Sequence, residues 1–168
     1  MCERINYSYS QTFLNTRRLL EKQSGTQLDA TVSSGGTPTG LSILVVEDNP
    51  HIMEMYGYVL KKLAGELKGR VPIDVQFAAD GHQALARLWQ SPFDLVMLDL
   101  YMPVMDGFAL IERIRGEDKL KHIPVLAISA GGEDTQARAL GLGVNSYLRK
   151  PVRFAQVMET VKQLLEIQ

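Results

Sequence analysis

Short apolar runs alternate with amphipathic segments along the chain from residue 41 onward. The runs are rich in β-branched residues, which is typical of strands; they are "LSILVVED", "IDVQFAA", "DLVMLDL", "IPVLAIS" and "VNSYLR". Each run is followed by a segment with apolar residues at helical spacing, and the first segment places Ile52, Met55, Val59, Leu60 and Leu63 on one face. The pattern therefore predicts five strands and five helices in strict alternation.

The helical segments are "NPHIMEMYGYVLKKLAGELKG", "DGHQALARLWQ", "DGFALIERIRG", "EDTQARALGLG" and "FAQVMETVKQLLEIQ", and Asp80 is the expected N-cap of the second. Strands that are apolar throughout, and not at alternate positions, are typical of a parallel sheet covered by helices on both faces. We therefore expect a doubly wound, three-layer α/β domain. Its ligands should bind beyond the carboxyl ends of the strands, at the point where the strand order reverses.

The first 40 residues have a different character, because they are polar and end in the linker-like stretch "TVSSGGTPTG". We expect an N-terminal extension over residues 1–40 and one domain over residues 41–168. Within the extension, the apolar spacing predicts a short amphipathic helix from about Ser8 to Gln23, which would either pack on this protein or a partner, or order only on contact. The positions at helical spacing are Ile5, Tyr9, Phe13, Thr16 and Leu20.

Composition narrows the class of protein. The chain has 168 residues, of which 45% are hydrophobic, and this suffices for one good core. A formal net charge of −1 gives no field that would attract nucleic acid or acidic lipid. The single cysteine, Cys2, excludes an internal disulfide, and no signal peptide or spanning segment is evident. We expect a cytoplasmic protein without direct nucleic-acid or membrane binding.

Polar residues follow the strands at the edge where a ligand is expected. The first strand ends in Glu47 and Asp48, the third in Asp99 and the fourth in Ser129, and Lys150 follows the fifth. Carboxylates brought together repel one another and need a cation, and an all-oxygen ligand set suits Mg²⁺. An amine and a hydroxyl on the same rim suit a phosphoryl group carried by one of the acids.

Each of these residues also has a plain structural interpretation. Asp48 could be a helix cap, Asp99 a turn residue, Ser129 a capping hydroxyl and Lys150 a solvated charge. Turn chemistry alone does not predict acid, acid, hydroxyl and amine, in that order, at four independent strand ends.

The motifs "VVEDN", "LDLYMPVMDG", "ISA" and "YLRKP", in this order and spacing, resemble those of the receiver domains of two-component response regulators, over about residues 41–167. The resemblance implies a flavodoxin-like fold with strand order 2-1-3-4-5. It also implies that Asp99 accepts a phosphoryl group from a phosphohistidine on a partner histidine kinase or phosphotransfer protein.

The same resemblance assigns further roles. Asp48 and Asp99 would ligate Mg²⁺ together with the backbone carbonyl of Tyr101, and Glu47 would act mostly through bound water. Lys150 would contact a phosphoryl oxygen, and its bond to Pro151 is a candidate cis peptide.

Ser129 and Tyr147 match the switch pair of the family, in which both side chains turn toward the phosphorylated site. Two positions depart from the commonest pattern: Tyr101 is bulky and Gly131 has no side chain. We hypothesise that Tyr101 shields the acyl phosphate from water, while Gly131 could open a path that offsets this effect.

The chain stops at Gln168, and we therefore expect no output domain and an output by protein contact. In the family the surface of the fourth helix, fifth strand and fifth helix serves this purpose, here Glu133–Leu142, Ser146 and Phe154–Leu165. The last helix has apolar positions that could be core; exposure of one or two would indicate a site for a partner or a second copy of the chain. These positions are Phe154, Val157, Met158, Val161 and Leu164.

Three functional classes remain: a stand-alone phosphorylation-dependent switch, a phosphotransfer relay or phosphate sink, and an unphosphorylated scaffold. A separate catalytic enzyme is not expected, because the chain has no nucleotide-binding glycine motif and its histidines His51, His82 and His122 are scattered.

Overall fold

The computed structural model describes residues 40–67 and 71–167, and the predicted helix of the N-terminal extension lies outside these residues. The strands are β1 (Leu41–Val46), β2 (Ile73–Ala78), β3 (Leu95–Leu98), β4 (Val125–Ser129) and β5 (Ser146–Arg149). The helices are α1 (Pro50–Glu66), α2 (Gly81–Gln90), α3 (Gly107–Gly116), α4 (Glu133–Gly141) and α5 (Phe154–Leu165). The predicted alternation of strands and helices is confirmed.

The five strands form one parallel sheet in the order β2-β1-β3-β4-β5. One face packs against α1 and α5, and the other against α2, α3 and α4. The fold is therefore the doubly wound α/β fold that the pattern predicted, with the flavodoxin-like strand order that the resemblance implied. The strand order reverses at β1 and β3, which are hydrogen-bonded neighbours.

Burial follows position in the sheet. Every residue of β3 and β4 is buried, and so are the last four residues of β1, because helices cover both faces of these central strands. The edge strands β2 and β5 are only partly buried, and they carry polar residues such as Asp74, Gln76 and Ser146.

Helices α1, α2 and α3 follow residues whose side chains accept from first-turn amides, whereas α4 and α5 begin without such a side-chain bond. Asn49 accepts from the amide nitrogens of His51 at 3.0 Å and Ile52 at 3.4 Å, and Asp80 accepts from Gln83 at 2.9 Å. The cap of α1 is thus Asn49, and the alternative that Asp48 serves as that cap is wrong. Asp106 caps α3 in the same way, accepting from Ala109 at 2.8 Å.

The last helix places most of its apolar residues in the core, as the periodicity predicts. Val157, Met158 and Val161 are buried, whereas Phe154 is 43% exposed; on α4, Leu140 is 44% exposed. Among residues 40–67 and 71–167, no helix combines the length and apolar character needed to cross a bilayer.

Candidate functional site

Strand register brings the predicted acids to one edge of the sheet. Val46 of β1 pairs with Leu98 of β3, so Glu47 and Asp99 leave adjacent strands at the same level. The amide of Asp99 donates to the carbonyl of Val46 at 3.0 Å, which continues the pairing one step beyond the strands. The site therefore begins where the apolar central strands end.

Lys150 binds both acids. Its Nζ donates to Asp99 Oδ2 at 2.6 Å and to Glu47 Oε2 at 3.1 Å. The Lys150 amide donates to the carbonyl of Ser129 at 2.9 Å, which holds the residue at the end of β4, and the Lys150–Pro151 peptide bond is cis, as expected. One ammonium group thus compensates two carboxylates from neighbouring strands.

Burial and pairing act in opposite directions on these groups. Glu47 is almost completely buried, and burial raises the pKa of its carboxyl despite the hydrogen bond from Lys150. Burial by itself would lower the pKa of the Lys150 ammonium, but the hydrogen bonds to Asp99 and Glu47 raise it overall. Lys150 therefore stays protonated at neutral pH.

The segment after Asp99 packs tightly against this acid and the end of β3. The amide of Tyr101 donates to Asp99 Oδ1 at 3.1 Å, and the amide of Gly107 donates to the Leu100 carbonyl at 3.0 Å. A Cβ on Gly107 would lie 2.7 Å from Leu100 Cα and would also collide with the Asp99 carbonyl oxygen. The glycine of "MDG" is thus required by the close approach of α3 to the strand end.

The two predicted switch residues lie on β4 and β5. The Ser129 side chain is completely buried, and its Oγ has no hydrogen-bond partner. The Tyr147 hydroxyl donates to the Gly131 carbonyl at 2.8 Å, and burial raises the pKa of this phenol. Ser129 is therefore a buried donor in need of an acceptor, beside a loop that Tyr147 contacts.

The family model of the response regulator receiver domain matches residues 43–162. The chain belongs to this family. It is accordingly a receiver domain of the phosphorylation-accepting type found in two-component signal transduction.

Two curated relatives illustrate where such receivers occur. The chain is 34% identical to chemotaxis protein CheY-3 of Vibrio cholerae over 127 residues, which are 75% of this chain and 92% of that protein. It is 33% identical to signal transduction histidine-protein kinase BarA of Shigella flexneri over 113 residues, which are 67% of this chain and 11% of the kinase. The chain therefore spans only about a tenth of the kinase's length.

A solved structure supports the same relationship. The receiver domain of sensor histidine kinase PA1611 from Pseudomonas aeruginosa matches with a TM-score of 0.66 and 27% identity, covering 76% of this chain and 99% of that one. That receiver has a magnesium ion coordinated in its active site cleft.

The acids at the strand ends of this receiver offer oxygen donors of the kind that Mg²⁺ prefers. Asp48 is exposed, and the described part of the chain holds no group of three or more His, Cys, Asp or Glu side chains arranged for a metal. Mg²⁺ is commonly held by one or two carboxylates with water filling the remaining positions. The oxygen donors at the ends of β1 and β3 fit this requirement, since they include the buried Glu47 and the adjacent Asp99.

Two residues near the site were not singled out from the sequence. Tyr56 of α1 is buried with an unpartnered hydroxyl, and burial, together with the charges of Glu47 and Asp99, raises its pKa. Thr135 of α4 bonds to the Tyr101 hydroxyl at 2.9 Å. Both occupy ordinary helical positions. The one signal in the sequence for Tyr56 is that a polar hydroxyl lies on an otherwise apolar face of its helix. The three histidines are all exposed.

Proposed function

We propose that this receiver is a stand-alone response regulator in which Asp99 accepts a phosphoryl group from a partner histidine kinase or phosphotransfer protein. The observation that carries the proposal is the Lys150 ammonium, 2.6 Å from Asp99 Oδ2 at the mouth of the sheet. Similarity to CheY-3, nearly all of whose length is matched, favours the stand-alone role.

Asp99 is the best candidate acceptor because of its accessibility. Glu47 is 2% exposed and Asp99 is 11% exposed at its side chain, and Lys150 binds both. Asp48 is exposed, but the Lys150 bonds go to the other two acids. Asp99 is therefore the acid that combines access for a donor with an amine beside its oxygen.

The proposed transfer is an in-line displacement at phosphorus. A carboxylate oxygen of Asp99 forms the new bond while the bond from phosphorus to the donor histidine nitrogen breaks, and the electron pair of that bond stays on the imidazole. Lys150 holds the acid in place beforehand and offers its charge to a phosphoryl oxygen. The Ser129 hydroxyl, buried and unpartnered, is a donor for the same group.

Mg²⁺ is the proposed cofactor, with Asp48, Asp99 and the Tyr101 carbonyl as ligands and Glu47 acting through water. When bound, the ion neutralises charge on the phosphoryl oxygens and so favours transfer. Glu47 and Asp99 are already arranged around a cation in the form of Lys150. An added divalent ion would compensate the negative charge that the phosphoryl group brings.

The proposed output surface comprises α4, β5 and α5. Leu140 and Phe154 are each more than two-fifths exposed, whereas Val157, Met158 and Val161 of α5 are buried. Tyr147 on β5 contacts the Gly131 carbonyl of the β4–α4 loop, so this surface is attached to the loop that follows Ser129. Phosphorylation would shift the population of this loop and so change binding of a downstream protein or a second copy.

The test is the intact mass of the protein after incubation with Mg²⁺ and acetyl phosphate. We expect a base-labile phosphoryl adduct that is lost without metal and in Asp99→Asn. Asp106→Asn is the matched control, because it makes the same chemical change in the same loop and asparagine retains the capping function. It should keep the adduct.

Loss of the adduct in Asp106→Asn, or its retention in Asp99→Asn, would contradict the assignment of Asp99. Absence of an adduct under every condition would support the scaffold alternative. Rapid return of the phosphoryl group to a phosphotransfer protein, with no change in partner binding, would support a relay or phosphate sink and overturn the switch.

A further inference from the structure

A continuous set of contacts leads from the acceptor carboxylate to helix α4. The Tyr101 amide donates to Asp99 Oδ1 at 3.1 Å, and the hydroxyl of the same tyrosine bonds to Thr135 Oγ1 at 2.9 Å. Tyr101 lies two residues after the acceptor, and Thr135 lies in the first turn of α4. One residue therefore connects the site to the helix.

Thr135 also occupies the space that Gly131 leaves. A Cβ added at position 131 would collide with Cβ, Oγ1 and Cγ2 of Thr135. The expectation that Gly131 opens a path to the site is therefore incomplete, because a side chain from α4 fills the adjacent volume. The small residue at 131 allows Thr135 to approach Tyr101.

A second contact aligns the tyrosine ring. Tyr101 packs edge to face on Phe108, with ring centroids 6.3 Å apart, and Arg138 of α4 lies 3.9 Å above the Phe108 ring. Thr135 and Arg138 are three residues apart and so share a face of α4. This face bonds to the Tyr101 hydroxyl and lies over the Phe108 ring, which limits the movement of Tyr101 relative to the helix.

We propose that the hydrogen-bonded Tyr101–Thr135 pair positions the tyrosine ring against the acceptor and so determines how long the phosphoryl group remains on Asp99. The inference depends on the proposed function, since it requires Asp99 to be the acceptor. Both are positioning residues: they act through water access and do not take part in bond making.

The step that the pair controls is hydrolysis of the acyl phosphate. A water oxygen attacks phosphorus opposite the Asp99 oxygen, the bond from phosphorus to that oxygen breaks, and its electron pair remains on the carboxylate. One proton of the water passes to solvent and the other stays on phosphate, so the products are the free Asp99 carboxylate and hydrogen phosphate. The attacking water needs an open approach to phosphorus, and a fixed Tyr101 ring restricts that approach.

The experiment measures the lifetime of the adduct after acetyl phosphate is removed, using release of inorganic phosphate together with intact mass. The variants are Tyr101→Phe and Thr135→Val, which remove one hydroxyl each and keep side-chain shape, and the double variant. We expect each single variant to shorten the lifetime by a similar factor, roughly 2- to 10-fold, the value of one hydrogen bond. The adduct should live no shorter in the double variant than in either single variant, because all three variants lack the same Tyr101–Thr135 hydrogen bond.

Tyr58→Phe is the matched control, since Tyr58 is 62% exposed on α1 and should leave the lifetime unchanged. Urea unfolding of every variant verifies that the fold is retained. Unchanged or longer lifetimes in both single variants would overturn the inference, and so would a double variant in which the two effects multiply. If the unsubstituted protein forms no adduct, the proposed function fails and the inference fails with it.

Discussion

Burial and ion pairing have opposite effects on the charged side chains of this site. Glu47 is nearly inaccessible to water and its pKa is raised by burial, yet Lys150 supplies a partner for it and for Asp99. Removing one member of such a set leaves an uncompensated buried charge. Lys150 therefore has a structural role in addition to its proposed contact with the phosphoryl group.

Tyr56 is a residue whose substitution should increase the stability of the fold. Its hydroxyl is buried without a partner, so the protein bears the cost of removing it from water. Tyr56→Phe should raise the free energy of unfolding by about 1 kcal/mol at neutral pH. Urea denaturation at fixed temperature measures this difference, with the exposed Tyr58→Phe on the same helix as the control.

Alkaline pH gives a second readout for the same variant. The pKa of the buried Tyr56 phenol is raised above its usual value of about 10, so above pH ~10 the unfolded chain loses this proton and the folded protein keeps it. The folded state then binds more protons than the unfolded state, and stability falls as pH rises. Tyr56→Phe should lessen this fall; an equal fall in both proteins would contradict the burial of the phenol.

Arg115, near the end of α3, hydrogen-bonds to two segments outside the helix. Arg115 donates from Nε to the Gly143 carbonyl at 2.9 Å, from Nη1 to the Lys121 and Ile123 carbonyls at 3.1 and 2.9 Å, and from Nη2 to Asn145 Oδ1 at 2.9 Å. Asn145 Oδ1 also accepts from the amide of Val125, the first residue of β4. The arginine thus connects α3 with the segments that precede β4 and β5.

Arg115→Lys should therefore destabilise the fold, because an ammonium group cannot reproduce the four bonds of the planar guanidinium. We expect a loss of about 2 kcal/mol in the free energy of unfolding, measured by urea denaturation. Arg113→Lys is the matched control, since Arg113 is exposed on the same helix and should change little. Equal midpoints for the two variants would rule out this role for Arg115.

At the scale of the whole molecule, the described sheet has both faces covered by helices. One cluster of buried residues lies between the sheet and α1 and α5, and the other lies between the sheet and α2, α3 and α4. We therefore expect deletion of residues 1–40 to leave folding and phosphorylation of Asp99 intact. The deletion should alter oligomeric state or partner binding.

Intact mass after acetyl phosphate treatment and light scattering of both proteins would test this expectation. The full chain is the reference in both measurements. Failure of the shortened protein to fold would contradict the domain boundary near Leu41. An unchanged oligomeric state and unchanged partner binding would remove the proposed role of the extension.

Several features could be predicted from the sequence because they depend on local pattern. The β-branched runs and amphipathic segments identify every strand and helix of the described domain, and parallel pairing then brings Glu47 and Asp99 to one edge. The cis bond before Pro151 was expected only from the resemblance to receiver domains, because most bonds that precede proline are trans. The order of elements and the meeting of the two acids need only periodicity, residue type and the rule that parallel strands end together.

The remaining features depend on contacts between segments far apart in the chain. Thr135 fills the space beside Gly131 and bonds to Tyr101, 34 residues away, and Arg115 reaches carbonyls up to 28 residues away. The sequence by itself determined the order of elements and the residues at the strand ends, because these follow from local spacing. Only the tertiary structure decided which side chains meet across the loops, because helix packing sets those distances.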